Sequence, residues 1–584
     1  MAKADHGVEG TAATPSTTVV NLSDSIDTKD AHQSGLDKLR KTLSPAMLYV
    51  VSTAQFLDIV NGASVSVAII PIAEDLHFSV PLMPWILNAY TIAFAGLLLF
   101  SGRMGDLYGH RVMFMFGVFW FATWALVVSF STTPIMFVIA RALQGTGAAC
   151  TVPTAMALIA TNYPPGPERT KAFSVFAAFG GLGAVVGILM AGGLIASIGW
   201  PWIFRVSAIV AYILMVLAFF VIPVRPKKEG AEKPHVDFLG SAASMFGVTG
   251  IVYYITMGTE DGWASPKTLP VLFAGLLLLV AFVYIESKVA HPIMPFRIWK
   301  SHRFTTSVIA AFVQMGMMQG FIYYVNMIFQ EVYEWSAIKT AVGFLVHALL
   351  AIVVFSILGR TIPRLHLKPL IMTGFLLRSV AALMFAFVNE NTSYWRLPFP
   401  GLIVHVFGLG FSMLPIQITA VRDAANKDQG LVGAIYNTGL QLGAPFGLAI
   451  LNVISISTNG QEGDTTAGTE VRGGPQLMKG YKNAMFGVAA FGIFGFLLSA
   501  AIMPWDKPVR HAKPETRDPE ALQESGHAAD DAEEKLAERE EELAAIEALA
   551  LDADLAFIPP GLSEKEELEA DGSTIASRSE ISKS

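Results

Sequence analysis

Cysteine is almost absent from this chain of 584 residues, since Cys150 is the single example. One cysteine cannot form a disulfide within the chain, and it cannot supply the several thiolates of a cysteine-rich metal site. No cluster of histidine, cysteine and carboxylate residues has the spacing of metal ligands. The Gly-x-x-x-x-Gly-Lys pattern of phosphate-binding loops is also missing, which argues against ATP-driven chemistry. We therefore expect no metal, no cofactor and no enzymatic activity.

Charged residues are also scarce, at 15% of the chain against 53% hydrophobic residues. They are concentrated in two tails and in short connections between long apolar runs. A helix needs about 20 apolar residues to cross ~30 Å of hydrocarbon. The sequence therefore predicts an all-α integral membrane protein. Its fourteen expected spans lie at residues 46–71, 85–101, 112–130, 134–160, 172–197, 203–223, 237–258, 268–286, 304–329, 337–358, 368–388, 398–421, 431–456 and 483–503.

Successive connections between the spans alternate between two sets, and lysine and arginine are concentrated in one of them. The second set is nearly bare of basic residues, and its first connection carries only Glu74 and Asp75. Basic loops normally face the cytosol. The bias places both tails in the cytosol, which requires an even number of spans, such as fourteen. The basic set comprises Arg103, Arg111, Arg169, Lys171, Arg225, Lys227, Lys228, Lys233, Lys288, Arg297, Lys300, Arg360, Arg364, Lys368, Arg422 and Lys427.

The two tails differ in composition from the spans and from each other. Residues 1–45 are polar and are expected to form a disordered cytosolic tail. Residues 505–584 form an acidic cytosolic tail, in which residues 531–551 predict a short helix that is either solvated or binds a partner. Asn391-Thr-Ser393 is a glycosylation sequon in a connection of the bare set, and the sequence leaves its occupancy open.

A glycine-rich segment, Gly102-Arg-Met-Gly-Asp-Leu-Tyr-Gly-His-Arg111, follows the second predicted span. Glycine allows a tight turn between two helices. Asp106 and Arg111 can pair with each other or with a neighbouring helix end, where a carboxylate gains up to ~1 kcal/mol from a helix N-terminus. The segment is therefore either a polar turn or a latch made by Gly102, Asp106, Gly109 and Arg111.

Two charged residues within predicted spans are candidates for a functional role. Arg141 begins the pattern Arg-x-x-Gln-Gly in the fourth span, and a buried arginine there costs at least ~2.5 kcal/mol unless it has a partner. Asp58 lies near the middle of the first span, in Leu57-Asp-Ile-Val-Asn61. A carboxyl group at this depth can take up and release a proton. Alternatively, Asp58 is a permanent partner of Arg141, and Arg141 itself could reach the membrane interface.

The fifth span contains many glycines between positions 180 and 193. Small residues spaced four apart let membrane helices pack closely, which by itself explains the pattern. We assign this packing role to Gly183, Gly187, Gly192 and Gly193.

These segments together resemble the major facilitator superfamily. The 102–111 segment is similar to that family's loop signature, although Leu107 and His110 replace basic residues. Asp58 and Asn61 resemble the first span of fourteen-span drug:proton antiporters, and Arg141 resembles their second motif. The glycine run is similar to the antiporter motif but lacks its proline, because Ile188 follows Gly187.

The resemblance extends across most of the predicted spans. Trp85-Ile-Leu-Asn-Ala-Tyr90 is similar to the family's second span, and Asp428-Gln-Gly-Leu-Val-Gly-Ala-Ile-Tyr-Asn437 is similar to the entry to its penultimate core helix. Tyr163-Pro-Pro-Gly166 and the stretch Gly-Asp-Leu-Tyr-Gly-His110 resemble a fungal branch that includes aminotriazole-resistance and boron-efflux carriers. His291-Pro-Ile-Met-Pro295 resembles the loop after the two additional helices of fourteen-span members. The resemblance implies two six-helix bundles, at 46–224 and 303–504, joined by a linker at 225–302 that contains the seventh and eighth spans. It also implies proton coupling through Asp58 and Arg141.

Polar residues within the apolar spans are candidates for substrate contacts. Each can equally form a hydrogen bond between helices, which is worth about 0.6 kcal/mol on average. His347 and His405 are possible further titrating groups, although each can also be structural. The candidate set is Gln144, Gln314, Gln319, Tyr323, Asn326, Gln417, Asn437 and Gln441.

The sequence thus favours a secondary transporter that exports small toxic molecules (drugs, xenobiotics or metabolites) by proton antiport. An importer of a nutrient or iron chelate on the same fold is the first alternative, because the antiporter proline is missing. A sensor that does not transport is the second. We expect a monomer in the plasma membrane rather than the vacuolar membrane. Its partners would be a small-molecule substrate, protons and the lipid bilayer, with no nucleic acid.

Overall fold

The computed structural model describes residues 22–163, 167–223, 238–289, 294, 296–422, 429–458 and 475–505, with backbone only for 22–44. Residues 1–21, the basic connection at 224–237, the connection at 459–474 and the acidic tail from 506 onward, with its expected helix, lie outside the described residues. Within the described ranges the chain is helical, and fourteen helices are long and apolar enough to cross a membrane. The fourteen predicted spans are therefore confirmed.

The helices follow one another through short connections. Those of the first half are α1 (Leu22–Asp75), α2 (Trp85–Tyr108), α3 (His110–Val128), α4 (Pro134–Asn162), α5 (Pro167–Ser197) and α6 (Pro201–Val221). The linker contains α7 (Phe238–Met257), α8 (Leu269–Lys288) and the short α9 (Phe296–Trp299). The second half comprises α10 (His302–Met327), α11 (Ala337–Thr361), α12 (Leu367–Ala386), α13 (Pro398–Val421), α14 (Gln429–Thr458) and α15 (Pro475–Ile502).

Each half forms its own bundle. In the first half α1 packs on α5, α3 and α2 pack on α4, and α6 packs on α3 and α1. In the second half α12 packs on α13 and α15, and α10 packs on α14 and α15. The halves meet where α5 contacts α11 and where α2 contacts α14, and linker helix α7 contacts both α2 and α14. The result is the expected pair of six-helix bundles with two additional helices.

The two ends of the bundle need names that do not presuppose their location. We call them the Gly109 face, where α2 meets α3, and the Asp75 face, where α1 leads through a 3₁₀ turn (Val80–Leu82) to α2. At the Gly109 face, the structure corrects the predicted loop. Residues 102–108 continue α2, and Gly109 alone connects it to α3. Gly109 has φ +95°, which a side chain rarely tolerates, so one glycine is sufficient for the turn.

Two helix boundaries also differ from the prediction. The backbone of α1 is helical from Leu22, inside the segment expected to be disordered, and no proline interrupts residues 22–44. α15 begins at Pro475, eight residues before the predicted start of the fourteenth span. Proline is well suited to the first turn of a helix, where its missing N–H has no helical partner. Both α1 and α15 therefore extend beyond the apolar runs from which they were predicted, through helical residues of which few are apolar.

Helices α10 and α14 approach closely through glycine. A Cβ atom added to Gly443 would lie 2.0 Å from the backbone oxygen of Phe312, and one on Gly447 would lie 2.4 Å from the Cα of Gly316. Side chains larger than hydrogen are therefore excluded where these backbones touch. Small residues at helix contacts are the main way membrane helices gain packing energy.

We expect the substitution Gly443→Ala to destabilise the protein by about 1–3 kcal/mol, since overpacking against backbone cannot be relieved by side-chain rotation. The matched control is Gly433→Ala in the same helix, where an added Cβ meets nothing within 4 Å. Alanine there should be neutral or stabilise by about 0.5–1 kcal/mol, because glycine is a poor helix former. Thermal unfolding of the purified protein measures both, and equal melting temperatures for the two variants would contradict this packing.

Candidate functional site

Asp58 lies on α1 inside the first bundle and is half-buried. The hydroxyl of Tyr90, on α2, donates a hydrogen bond to Asp58 Oδ1. Tyr90 itself is 7% exposed, so this contact lies away from solvent. The sequence prediction included Tyr90 only within a stretch of family resemblance and gave it no role.

Arg141, on α4, is one of the two fully buried arginines of the described residues and is 1% exposed. Its Nη1 donates to Asn61 Oδ1 at 2.5 Å and to Gln144 Oε1 at 2.7 Å. The guanidinium carbon lies 4.4 Å from the ring centroid of Tyr90 and 5.7 Å from that of Phe204. A desolvated cation–π contact is worth about 2 kcal/mol or more, which offsets much of the burial cost. Arg141 therefore faces the bundle interior rather than the membrane interface.

In this conformation, Asp58 and Arg141 do not form a direct ion pair. Tyr90 lies between the two charged groups instead: its hydroxyl binds the carboxylate and its ring face contacts the guanidinium. The sequence could not show this because helices α1, α2 and α4 have to pack before the intervening side chain is known.

A small cavity adjoins Asp58 within the first bundle. Its volume is about 10 Å³, close to the minimum that one water molecule occupies. Its walls come from four helices, α1, α3, α4 and α6. Beside Asp58, the lining residues are Ala54, Leu57, Val118, Phe121, Ala148, Thr151, Ala211 and Leu214. Thr151 is the only other side chain with a polar group, so any water there would be held chiefly by Asp58.

The 102–111 segment makes its described contacts within the first half. Nε2 of His110 lies 3.7 Å from Asp106 Oδ1. Nη2 of Arg111 donates to the backbone oxygen of Phe219, near the end of α6, at 2.6 Å. The Arg111 guanidinium also lies 5.4 Å from the Phe219 ring. The segment thus fastens α2 and α3 to α6, and Asp106 is paired with His110 rather than with Arg111.

Three of the four predicted packing glycines of α5 lie at helix contacts. A Cβ on Gly183 or Gly187 would lie 2.7 or 2.6 Å from a backbone oxygen of α1. A Cβ on Gly192 would lie 2.8 Å from Ala341, on α11 of the second half. Gly193 meets nothing within 4 Å, so it does not belong to this contact. Adjacent residues point to different sides of a helix, so Gly192 and Gly193 could not both face α11.

The predicted substrate contacts lie in both halves, with Gln144 in the first half and the other seven in the second. Gln144 contacts Arg141, and Gln314 contributes its backbone oxygen to Arg378. Tyr323 and Asn326 are buried near one end of α10, whereas Gln417 is exposed. Gln319, Asn437 and Gln441 are half-buried.

The second half contains a polar cluster of its own. His347 Nε2 and His405 Nδ1 are 3.0 Å apart, and the His405 ring stacks on Phe321 at 3.9 Å. Arg378, fully buried on α12, donates from Nη2 to the Gln314 oxygen at 2.9 Å. Sequence reasoning missed Arg378, although the argument used for Arg141 applies to it equally, because it also interrupts a long apolar run.

One hydrogen bond joins the halves near the Asp75 face. α10 ends in a π-helical turn (Ile328–Val332), and Gln330 Nε2 donates to the backbone oxygen of Val67 on α1 at 2.8 Å. In a regular helix that oxygen would accept from residue 71, but residue 71 is proline and has no N–H. Pro71 therefore leaves an unpaired carbonyl that Gln330 satisfies. Gln330 also donates to Asn326 Oδ1 at 2.8 Å.

Comparisons with known proteins agree with this architecture. Residues 51–448 match the family model described as Major Facilitator Superfamily. The puromycin resistance protein pur8 of Streptomyces alboniger is 31% identical over 78% of this chain and 90% of its own length. A low affinity ammonium transporter of Saccharomyces cerevisiae is 28% identical over 70% of this chain and 79% of its own length.

A solved structure shows the same fold. It is a bacterial homologue of the human lysosomal transporter Spinster in an inward-facing, occupied conformation, with a TM-score of 0.56 at 13% identity, covering 78% of this chain and 96% of that chain. The family model covers well over half of this chain, and the helices pack as the resemblance implied. The chain belongs to the Major Facilitator Superfamily.

Proposed function

We propose that this chain exports small toxic molecules by exchanging them for protons, with alternating access at a site between its two bundles. The observation that carries the proposal is the position of Asp58. It is a carboxyl group within a membrane span, bound to a tyrosine hydroxyl and separated from Arg141 by the Tyr90 ring. An ionisable residue at that depth is costly to retain without a function. The name of the puromycin resistance relative supports the direction of transport.

The coupling step follows from these contacts. When Asp58 is ionised, Tyr90 donates to it and the Arg141 guanidinium compensates its charge across the ring. When Asp58 takes a proton, the hydrogen bond weakens and one positive charge is left without compensation. α1, α2 and α4 then rearrange against each other, which changes the bundle surface that faces the second half. Substrate release and bundle movement are thereby linked to one proton.

Alternating access requires contacts that hold one face closed at a time. The Gln330–Val67 hydrogen bond and the Gly192–Ala341 approach lie toward the Asp75 face, so they support a closed Asp75 face in this conformation. The 102–111 segment would hold the Gly109 face closed in the opposite conformation. With the Gly109 face and both tails in the cytosol of a plasma membrane, the present conformation would be open to the cytosol. A single chain contains the whole apparatus, so we propose a monomer.

Import on the same fold is a second candidate. The missing proline after Gly187 and the ammonium transporter relative favour it. The direction of flux separates the two: an exporter lowers the cellular content of its substrate, whereas an importer raises it. A sensor without transport would show no flux in either direction.

The substitution Asp58→Asn should abolish proton-driven export, because an amide cannot carry the proton. The measurement is cellular accumulation of puromycin, aminotriazole, borate and azoles, with and without a protonophore. Wild type should accumulate less than the empty vector, and the protonophore and Asp58→Asn should each remove that difference. Asp75→Asn is the matched control, since it removes a carboxylate from the end of the same helix, where Asp75 accepts from Trp200. Protonophore-sensitive export by Asp58→Asn would refute the coupling role.

The substitution Asp106→Asn should lower the transport rate more than substrate affinity, because the His110 contact would lose its charge while the substrate site is unchanged. Asp106→Glu retains the charge and should keep most of the rate. Transport by reconstituted protein and equilibrium binding of the same compound separate the two quantities. A normal turnover rate in Asp106→Asn would count against the latch.

The substitution Gln330→Leu should open the Asp75 face more often, because the Val67 carbonyl loses its partner from the other half. Pro71→Ala should act in the same direction, since residue 71 would then supply its own N–H to that carbonyl. Spin labels on α1 and α11 near this face report the distance between the halves. Unchanged distance distributions in both variants would show that the hydrogen bond does not hold the face closed.

A further inference from the structure

An apolar groove runs along an exposed side of α11. Its volume is about 740 Å³, within the range of sites that hold drug-sized ligands. One wall is α11, and the other is the segment 394–399, which leads into the first turn of α13. Tyr394 connects the two walls by donating to the Gly343 oxygen at 2.9 Å. The lining residues are Trp335, Lys339, Val342, Gly343, Leu345, Val346, Leu349, Leu350, Val353, Tyr394, Trp395 and Phe399.

The shape and depth of the groove suit a hydrocarbon chain. From Lys339 to Val353 the helix rises by ~21 Å, at 1.5 Å per residue. One leaflet contributes about half of the ~30 Å of hydrocarbon, so the groove extends through one leaflet from its edge. Val342, Leu349 and Val353 are each about half exposed, and nothing in the described chain covers them. Tyr and Trp residues at its outer end match the aromatic belt of a membrane interface.

The end of the groove at the start of α11 carries a lysine, Lys339, for which the structure shows a ring contact but no ion pair. Lys339 is the only charged residue among those lining the groove, and its ammonium lies 4.6 Å from the Trp335 ring centroid. Lys339 belongs to the first turn of α11, which begins after Ser336 and contains no acidic residue. A helix N-terminus carries a partial positive charge, so a lysine there is unfavourable. An anion bound at this position is attracted both by the lysine and by the helix N-terminus.

We propose that this groove binds one anionic phospholipid, with an acyl chain along α11 and the phosphate beside Lys339. The chain supplies apolar contact over the length of the groove, and the phosphate offsets both the ammonium and the end of the helix. The site does not depend on the substrate or on proton coupling. It explains why a lysine occupies a helix N-terminus that opens onto an otherwise apolar groove.

The test uses the full chain purified in a maltoside detergent, with bound lipid counted by native mass spectrometry. Dioleoyl phosphatidylglycerol should bind more tightly than dioleoyl phosphatidylcholine, by about fivefold, which corresponds to ~1 kcal/mol for one lysine near a membrane surface. Lys339→Ala should abolish this preference, and Lys339→Arg should keep it. Val353→Trp, at an exposed position, should weaken binding of both lipids by filling the groove. Glycerol phosphate without acyl chains should not bind.

The matched control is Lys267→Ala, which removes another exposed lysine near the Asp75 face. Its hydrogen bond to Asp261, at 2.6 Å, raises the pKa of Lys267, so this lysine is charged but already has a partner. The control variant should retain the wild-type lipid preference. Equal binding of the two lipids by wild type would overturn the proposal. So would an unchanged preference in Lys339→Ala, or full lipid binding by Val353→Trp.

Discussion

The first bundle depends on how it accommodates the guanidinium of Arg141 in its interior. A charge there is tolerated only when hydrogen bonds and nearby charges replace the lost hydration. Asn61 and Gln144 accept two hydrogen bonds, and Tyr90 covers the flat face of the cation. None of these groups is a carboxylate. The Asp58 carboxylate binds the hydroxyl of Tyr90 and does not form a direct ion pair with Arg141.

The two bundles are unequal in their internal charges despite their common architecture. In the second half, Arg378 is also fully buried, next to a pair of histidines. Its spans contain a carboxylate at the end of α10, where Glu331 of the π-helical turn accepts a hydrogen bond from the Tyr481 hydroxyl. Asp58, by contrast, lies near the middle of its span in the first half. Proton coupling through Asp58 would have to reach the second bundle by movement at the α5–α11 and α2–α14 contacts.

The contacts between the bundles use backbone atoms that particular residues leave accessible on the helices. Pro71 frees a carbonyl of α1, and the π-helical end of α10 brings Gln330 to it. Gly192 lets α5 approach α11 at backbone distance. Such contacts are easily broken and remade because each costs little more than one hydrogen bond or one patch of packing. That reversibility is what a change between two closed faces requires.

The sequence by itself determined the class and the number of spans. Apolar runs of about 20 residues have no other stable arrangement in a bilayer, and the cost of buried charge singled out Asp58 and Arg141. Only the tertiary structure decided the partners. It placed Tyr90 between the two charges, exposed Gln417 and brought Gln330 to Val67. Those outcomes depend on helix rotation and register between distant segments, which hydropathy along one chain does not record.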